Sequence, residues 1–303
     1  MASARDIRRR IKGVKGTGKI TRAMEMISAV KMRKAVQSVV AIRPYAKSAI
    51  ELLSQLSVAT KDDTHPLFEN RPIKKALYVV ITSNRGLCGA FNAQVTKHLR
   101  RILKEDENRE QSFITIGKKG ESFVHRLDKE IIASFPDIIG LPTIDGTRAI
   151  AKMIIAEFES KRVDRVVMVY TDYISVMTQE VKTRGLLPVA IKDTKKALDE
   201  MNTDEIALKQ GKNQELSSEY VIEPSPKKVL WQMIPRLIEM ELYHAILESN
   251  ASQESARMMA MRNATDAAKD MVSDLTLAYN QIRQGKITQE IAELSAGMAA
   301  VTH

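Results

Sequence analysis

The 303-residue chain holds one cysteine, Cys88, and only 5% aromatic residues. A lone thiol cannot close an internal disulfide, which excludes a dithiol switch and any zinc site built on several cysteines. The five histidines (His65, His98, His125, His244 and His303) are scattered without metal-ligand spacing. GxSxG and GxGxxG turns are missing too. No apolar run reaches the roughly 20 residues that a helical membrane span needs, and the first residues lack the apolar core of a secretory signal. The reading from these absences is a chain inside the cell, soluble or docked to something else, with no catalytic residue, cofactor or metal of its own. Scarce aromatics also suit long helices of Ala, Met and Leu better than a thick mixed core.

Glycine and proline are both missing from Arg236 to Gln284, 49 residues in a row. A helix of that length would run roughly 70 Å at about 1.5 Å per residue. In its second half Met258, Met261, Thr265, Ala268, Val272, Leu275, Tyr279 and Ile282 alternate spacings of three and four, the seam of a helix paired with another helix. Near the other end Met32, Ala35, Val39, Ile42, Ala46, Ala49, Leu53 and Leu56 repeat that spacing. The two stripes predict an antiparallel coiled coil between the chain ends, with small seam residues allowing close approach; the alternative is that each stripe covers a separate globular core. Residues 1–60 and 225–303 are thus read as the coiled-coil helices.

Residues 1–50 carry 13 Lys or Arg against Asp6 and Glu25, whereas the other 253 residues carry 34 basic and 35 acidic side chains. The net charge of +10 therefore sits in the first helix, and an acidic partner is implied. Within this stretch Gly13 to Ile20, GVKGTGKI, satisfies the GxxxxGK part of a phosphate loop. Ile20 stands where a Ser or Thr must ligate magnesium, and the charged segment before it cannot be the buried strand such a loop follows. The glycines are read instead as loosening the lower helix. Pro44 should bend this helix without ending it, and Ser3 should cap it.

Residues 72–223 read as an inserted α/β domain after a polar connector at Lys61–Arg71. Ala76–Thr82, Ser112–Ile116 and Arg165–Tyr170 are apolar runs typical of strands covered on both faces, and helices are expected at about Ala90–Lys104, Lys118–Leu127 and Thr147–Ser160. That alternation predicts a small, mostly parallel sheet. Thr178–Leu186 alternates as an antiparallel edge strand would. Lys192–Ser218 is a polar insertion, with a short helix expected at Lys195–Met201, and Tyr220–Ile222 suits a last strand. Ser225-Pro226 should open the C-terminal helix as cap and first-turn proline, with a kink or break at Pro235 and an interruption at Gly285. The glycine-bearing turn Ser83–Gly89 matches no standard phosphate-loop spacing and reads as a tight turn.

Three stretches carry a resemblance: KITRAMEMISAVKMRK (Lys19–Lys34), SNRGLCGAFN (Ser83–Asn92), and the phrases RMMAMRNATDAA and ITQEIAELSAG within Arg257–Val301. In order and spacing they resemble the gamma subunit of the rotary, proton-translocating ATP synthase, bacterial type. Departures are GTG at Gly16–Gly18, Asn84 and Ala90 where Asp and Gly are usual, Pro235 inside the long helix, and a longer insertion near residue 200. The two-cysteine redox segment of chloroplast relatives is absent, so thiol regulation is not expected.

The resemblance implies an antiparallel two-helix coiled coil formed by the N- and C-terminal helices, with a Rossmann-like α/β domain inserted between them. It implies a rotating, non-catalytic central stalk at the cytoplasmic face of the bacterial inner membrane, without direct membrane insertion. The implied partners are the alpha and beta subunits of the catalytic ring, the epsilon subunit and the membrane ring of c subunits, with no nucleic acid. Arg8, Arg9, Lys31, Arg33 and Lys34 would face acidic loops of the ring. Met24 matches the position where the family's helix faces the catalytic subunit, and Cys88, Arg257, Arg283, Gln284, Thr288 and Glu290 match other contact or helix-pair positions. Ile287, Ile291, Leu294, Met298 and Val301 would form an apolar bearing tip. Two rivals remain from the residues alone: an enzyme using Asn84–Gly89, tested by nucleotide binding, and a basic nucleic-acid-binding coiled coil, tested by salt dependence.

Overall fold

The computed structural model describes residues 4–59, 65–140, 142–189, 223 and 225–301. Ser3, the insertion at 192–218 with its expected helix, and the expected strand at 220–222 lie outside them. In chain order the elements are α1 (Ala4–Ala59), a short 3-10 turn (Pro66–Phe68), β1 (Lys75–Ile81), α2 (Phe91–Glu105), β2 (Glu110–Ile116), α3 (Lys118–His125), β3 (Glu130–Ser134), α4 (Ile144–Glu159), β4 (Arg165–Tyr173), β5 (Gln179–Leu187) and α5 (Pro226–Val301). They form two compact units, one from the chain ends up to Val30 and from Arg257 on, the other from Lys31 to Ala256. No helix among the described residues is long and apolar enough to cross a membrane.

In the α/β unit the sheet order is β3-β2-β1-β4-β5. β1 pairs in parallel with β2 and β4, β2 with β3, and β5 runs antiparallel on the edge beside β4. The alternation of side chains along a strand assigns the two faces. Leu77, Val79, Ile81, Ile114, Ile116, Val166 and Met168 join the core made with α4 and the first turns of α5, through Ile150, Ile154, Phe158, Ile234 and Ile238. Ala76, Tyr78, Val80, Phe113, Val167 and Val169 join the opposite core, with Val95 and Leu99 of α2 and Phe123 of α3. Helices on both faces explain the uninterrupted apolar runs of β1 and β4. The parallel edge strand β3 escapes sequence reading because its five residues, EIIAS, are nowhere fully buried.

Ser225 caps α5 as expected: its hydroxyl accepts from the N–H of Lys228 at 3.4 Å, and Pro226 is the first helical residue. The break expected at Pro235 is not found, and α5 continues through it. Leu230, Ile234, Leu237 and Ile238, all buried on the sheet core, hold the helix on both sides of the proline and outweigh the backbone bond it removes. Gly285 does not interrupt α5 either, and Pro44 lies inside α1 without ending it. The glycines at 13, 16 and 18 are likewise within unbroken helix.

The stretch Glu248–Ser255, ESNASQES, is polar in sequence and nearly all buried. It satisfies the backbone where β4 ends. The Ser249 hydroxyl accepts from the N–H of Thr171 at 3.0 Å, and that of Ser252 donates to the Thr171 carbonyl at 3.3 Å. A Glu248 oxygen accepts from the N–H of Tyr173 at 2.9 Å, and the Ser255 hydroxyl donates to the carbonyl of Val176 at 2.8 Å. Buried backbone groups need such partners. Small hydroxyls on one helix face supply them without holding α5 away from the sheet.

Candidate functional site

In the unit made from the chain ends, α1 and α5 are antiparallel. The hydroxyls of Thr21 and Thr265 are 2.7 Å apart, and a Cβ built on Gly18 would stand 3.4 Å from that of Ala268. One step of three back along α1 is thus one step of three forward along α5. Carried along both helices, this register sets Val14 opposite Val272, Ile11 opposite Leu275, Ile7 opposite Tyr279 and Ala4 opposite Ile282, with Glu25 and Ser28 opposite Met261 and Met258. All these positions are buried or half-buried, while most of the residues between them are exposed.

The C-terminal seam predicted from sequence is therefore the observed one, residue for residue, but its partner is not. Met32, Ala35 and Val39, predicted to face it, are buried in the other unit, where the Tyr173 hydroxyl reaches the Met32 sulfur at 3.6 Å. The true partner stripe is Ala4, Ile7, Ile11, Val14, Gly18, Thr21, Glu25 and Ser28. It keeps the three-and-four spacing with only three large apolar residues, and this hid it from a search for hydrophobic periodicity. Gly18 also gains a role opposite to the loosening expected: lacking a side chain, it lets the helices approach at Ala268.

The flank of this seam carries the charge. The residue following each of Ala4, Ile7, Ile11, Val14, Gly18 and Thr21 is Arg5, Arg8, Lys12, Lys15, Lys19 and Arg22, and all six are exposed. Arg22 pairs with Glu25 at 3.0 Å, and on α5 Lys269 pairs with Asp266 at 2.9 Å. Asp266 is held below the usual carboxylate range by that lysine first, then by Arg262 and Arg22. Arg9, Lys31, Arg33 and Lys34 are exposed, and Met24 is half-buried beside Glu25. On α5 Arg257 is half-buried, and Arg283, Gln284, Thr288 and Glu290 are exposed. Past Ile282 every described side chain is exposed. The tip residues stand open accordingly, Leu294 at 71% and Met298 at 72%. The Val301 side chain lies outside the described set.

The turn after β1 sits where the strand order reverses, the usual ligand crevice of such a sheet. Its polar groups are spent on the turn itself. Ser83 donates its N–H to the side-chain Oδ1 of Asn92 at 3.2 Å and its hydroxyl to the backbone carbonyl of Arg85 at 2.7 Å. The Asn92 amide donates to the Ser83 hydroxyl at 2.8 Å and points at the Cys88 sulfur, 3.1 Å away. Asn84 ties the turn to two further loops, donating to the Pro136 carbonyl at 2.6 Å and accepting from the N–H of Lys118 at 3.1 Å. Gly89 takes a positive φ of 56°, which accounts for a glycine there. Cys88 is only 2% exposed, so its thiol is a packing element of the turn, set apart from the exposed positions grouped with it by sequence.

An antiparallel coiled coil made from the two ends of one chain, with a doubly wound α/β domain inserted between them, defines a stalk-type protein. The family model described as ATP synthase matches residues 3–301. The chain is 38% identical over 305 residues to the ATP synthase gamma chain of Heliobacterium modesticaldum, covering 99% of this chain and 100% of that one. It is 40% identical over 314 residues to that of Herpetosiphon aurantiacus, with 99% of each covered. The chain belongs to the ATP synthase gamma chain family. Its fold is also similar to a chain in the central stalk and c-ring structure of the Tetrahymena thermophila mitochondrial ATP synthase, with TM-score 0.60, 24% identity, and coverage of 81% of this chain and 99% of that one. A chain of the Euglena gracilis mitochondrial enzyme in rotational state 3 matches with TM-score 0.63 and 19% identity over 98% of this chain and 94% of that one.

Proposed function

We propose that the chain is the rotating central-stalk subunit of an ATP synthase, coupling transmembrane proton flow to ATP synthesis or hydrolysis on the beta subunits by transmitting torque. Family membership over the whole chain supports the assignment. The observation that carries the mechanism is the tight antiparallel seam between Ala4–Ser28 and Met258–Ile282. Torque passes along a helix pair only if the two helices do not slip, and the small residues and paired hydroxyls around Gly18, Thr21, Thr265 and Ala268 resist sliding in a way that a uniform leucine seam would not. Catalysis on this reading belongs to the partners.

The proposed partners are the alpha and beta subunits around the helix pair, and the epsilon subunit with the c ring at the α/β domain. The place is the cytoplasmic face of the bacterial inner membrane. The exposed cations Arg8, Arg9, Lys31, Arg33 and Lys34 face acidic loops of the ring, an attraction that is felt within about 10 Å at ordinary ionic strength. Charge reversal tests this. With Arg8, Arg9, Lys31, Arg33 and Lys34 all changed to Glu, complexes reconstituted into vesicles should hydrolyse ATP but pump fewer protons per ATP. Unchanged pumping per ATP would count against this assignment of the contact surface.

A further inference from the structure

Beside the Thr21–Thr265 contact a groove of about 660 Å³ opens along the helix pair, lined by Val14, Lys15, Gly18, Lys19, Arg22, Thr265, Ala268, Lys269 and Val272. Its volume is within the roughly 300–1,000 Å³ typical of small-ligand sites. From Val14 to Arg22 it follows α1 for about 12 Å at the helical rise. The floor is aliphatic: Val14, Val272, the methyl of Ala268 and the bare backbone of Gly18. The hydroxyls at its edge are already engaged, Thr265 with Thr21 and with the Met261 carbonyl at 2.8 Å. The rim is cationic. Arg22 and Lys269 have carboxylate partners in Glu25 and Asp266, whereas Lys15 and Lys19 form no ion pair among the described residues. Those two lysines are four residues apart, on one helix face. A second groove of about 530 Å³, lined by Arg8, Ile11, Lys12, Lys15, Gly16 and Lys19, continues the positive rim along α1.

We propose that the groove binds the anion of a medium-chain fatty acid, with the alkyl tail along the aliphatic floor and the carboxylate between Lys15 and Lys19. Charge and lining select this class. A nucleotide would need a loop of free backbone N–H groups or an aromatic face for its base. The segment GVKGTGKI, which reads as part of a phosphate loop, is helical throughout, so its N–H groups point along the helix, and no aromatic side chain lines the groove. A tail leaving the carboxylate between Lys15 and Lys19 has about 7 Å of floor before Arg22 at the helical rise, so about its first six carbons lie along aliphatic surface and gain from burial in proportion to the apolar area covered. The carboxylate then meets two ammonium groups that have no competing acid. Occupation would offset one of the positive charges along the seam flank, beside the surface proposed to face the ring.

The test uses the purified full-length chain and carboxyl-labelled dodecanoate below its micelle concentration, followed by carbon-13 NMR and by calorimetry. The expected result is saturable one-to-one binding that Lys15→Gln/Lys19→Gln weakens about tenfold. Both side chains are exposed, so the double variant keeps the fold, which circular dichroism checks. A second arm replaces the ligand with dodecyltrimethylammonium, which should not bind. The proposal is overturned by absence of saturable binding, by equal affinity for the cationic amphiphile, or by an unchanged constant in the double variant. Displacement of dodecanoate by a short polyglutamate peptide as readily as by decanoate would overturn it too, because the surface would then recognise acidic chains rather than an amphiphile.

Discussion

Gly13 and Gly16 have open space where a side chain would begin, with nothing within 4 Å of an added Cβ. A helix-interior glycine costs about 1 kcal/mol relative to alanine, so Gly13→Ala and Gly16→Ala should each raise the stability of the helix pair by roughly that amount, read as a higher urea midpoint with unchanged m-value. A lower midpoint would mean that the glycines serve a contact these residues do not reveal. Met24 poses the opposite case, since it is half-buried next to Glu25 and on the proposed contact face. Met24→Lys should leave the midpoint within about 0.5 kcal/mol, as surface substitutions do, yet lower proton pumping per ATP in the assembled enzyme by adding an ion pair to the moving contact. Normal coupling at every temperature would remove Met24 from that face. The C-terminal seam was legible in sequence because Met258, Met261, Val272, Leu275 and Ile282 are large and apolar. Its partner was illegible because Gly18, Thr21, Glu25 and Ser28 do the same packing work with small or polar atoms that no hydropathy scale counts as core.

Apart from β3, the strands and helices described in the inserted domain were readable to within about three residues at each end, since burial on both faces forces apolar runs on β1, β2 and β4. The polar joints between elements were not, because each needs a partner distant in sequence. Asp164 is such a joint. Its Oδ2 accepts from the N–H groups of Lys74 and Lys75, both at 3.0 Å, and its other oxygen is 3.9 Å from Arg71. The Arg71 guanidinium also donates to the Phe158 carbonyl at 2.8 Å and lies over the Phe158 ring, 4.3 Å from its centroid. Burial alone would push the Asp164 carboxyl up, but the two backbone donors and Arg71 outweigh it and hold it below the ordinary carboxylate value. A folded-state value below the unfolded one, about 3.9, contributes stability that is fully present above the unfolded value and is lost as pH falls through the folded one. Asp164→Asn should therefore cost about 1–3 kcal/mol at neutral pH and flatten the acid limb of the stability curve. Equal acid limbs for the two proteins in urea titrations between pH 3 and pH 7 would show that this joint contributes nothing through its charge.

Taken whole, the chain spends its hydrophobic residues unevenly, and the end of α5 is where the unevenness bears on function. In the observed register Ala4, the first described residue of α1, stands opposite Ile282, so later residues have no counterpart on α1 among those described. Ile287 at 48%, Ile291 at 59%, Leu294 at 71% and Met298 at 72% are accordingly open. They recur at spacings of four, three and four, one stripe on a helix that continues to Val301. On the proposed stalk reading this exposed apolar stripe is the surface that meets a partner. For a turning shaft that partner must be indifferent to angle, and hydrophobic contact, which has no preferred direction, meets the requirement better than ion pairs fixed at particular positions. Removing everything after Gln284 takes away the stripe but no seam residue, so the truncated chain should keep the urea midpoint of the full chain within about 0.5 kcal/mol. In the assembled enzyme the same truncation should permit rotation while lowering both complex stability and torque, measured by single-molecule rotation against a viscous load. A truncated chain that assembles as tightly and pulls as hard as the full one would show the stripe to be a solvated tail rather than a bearing.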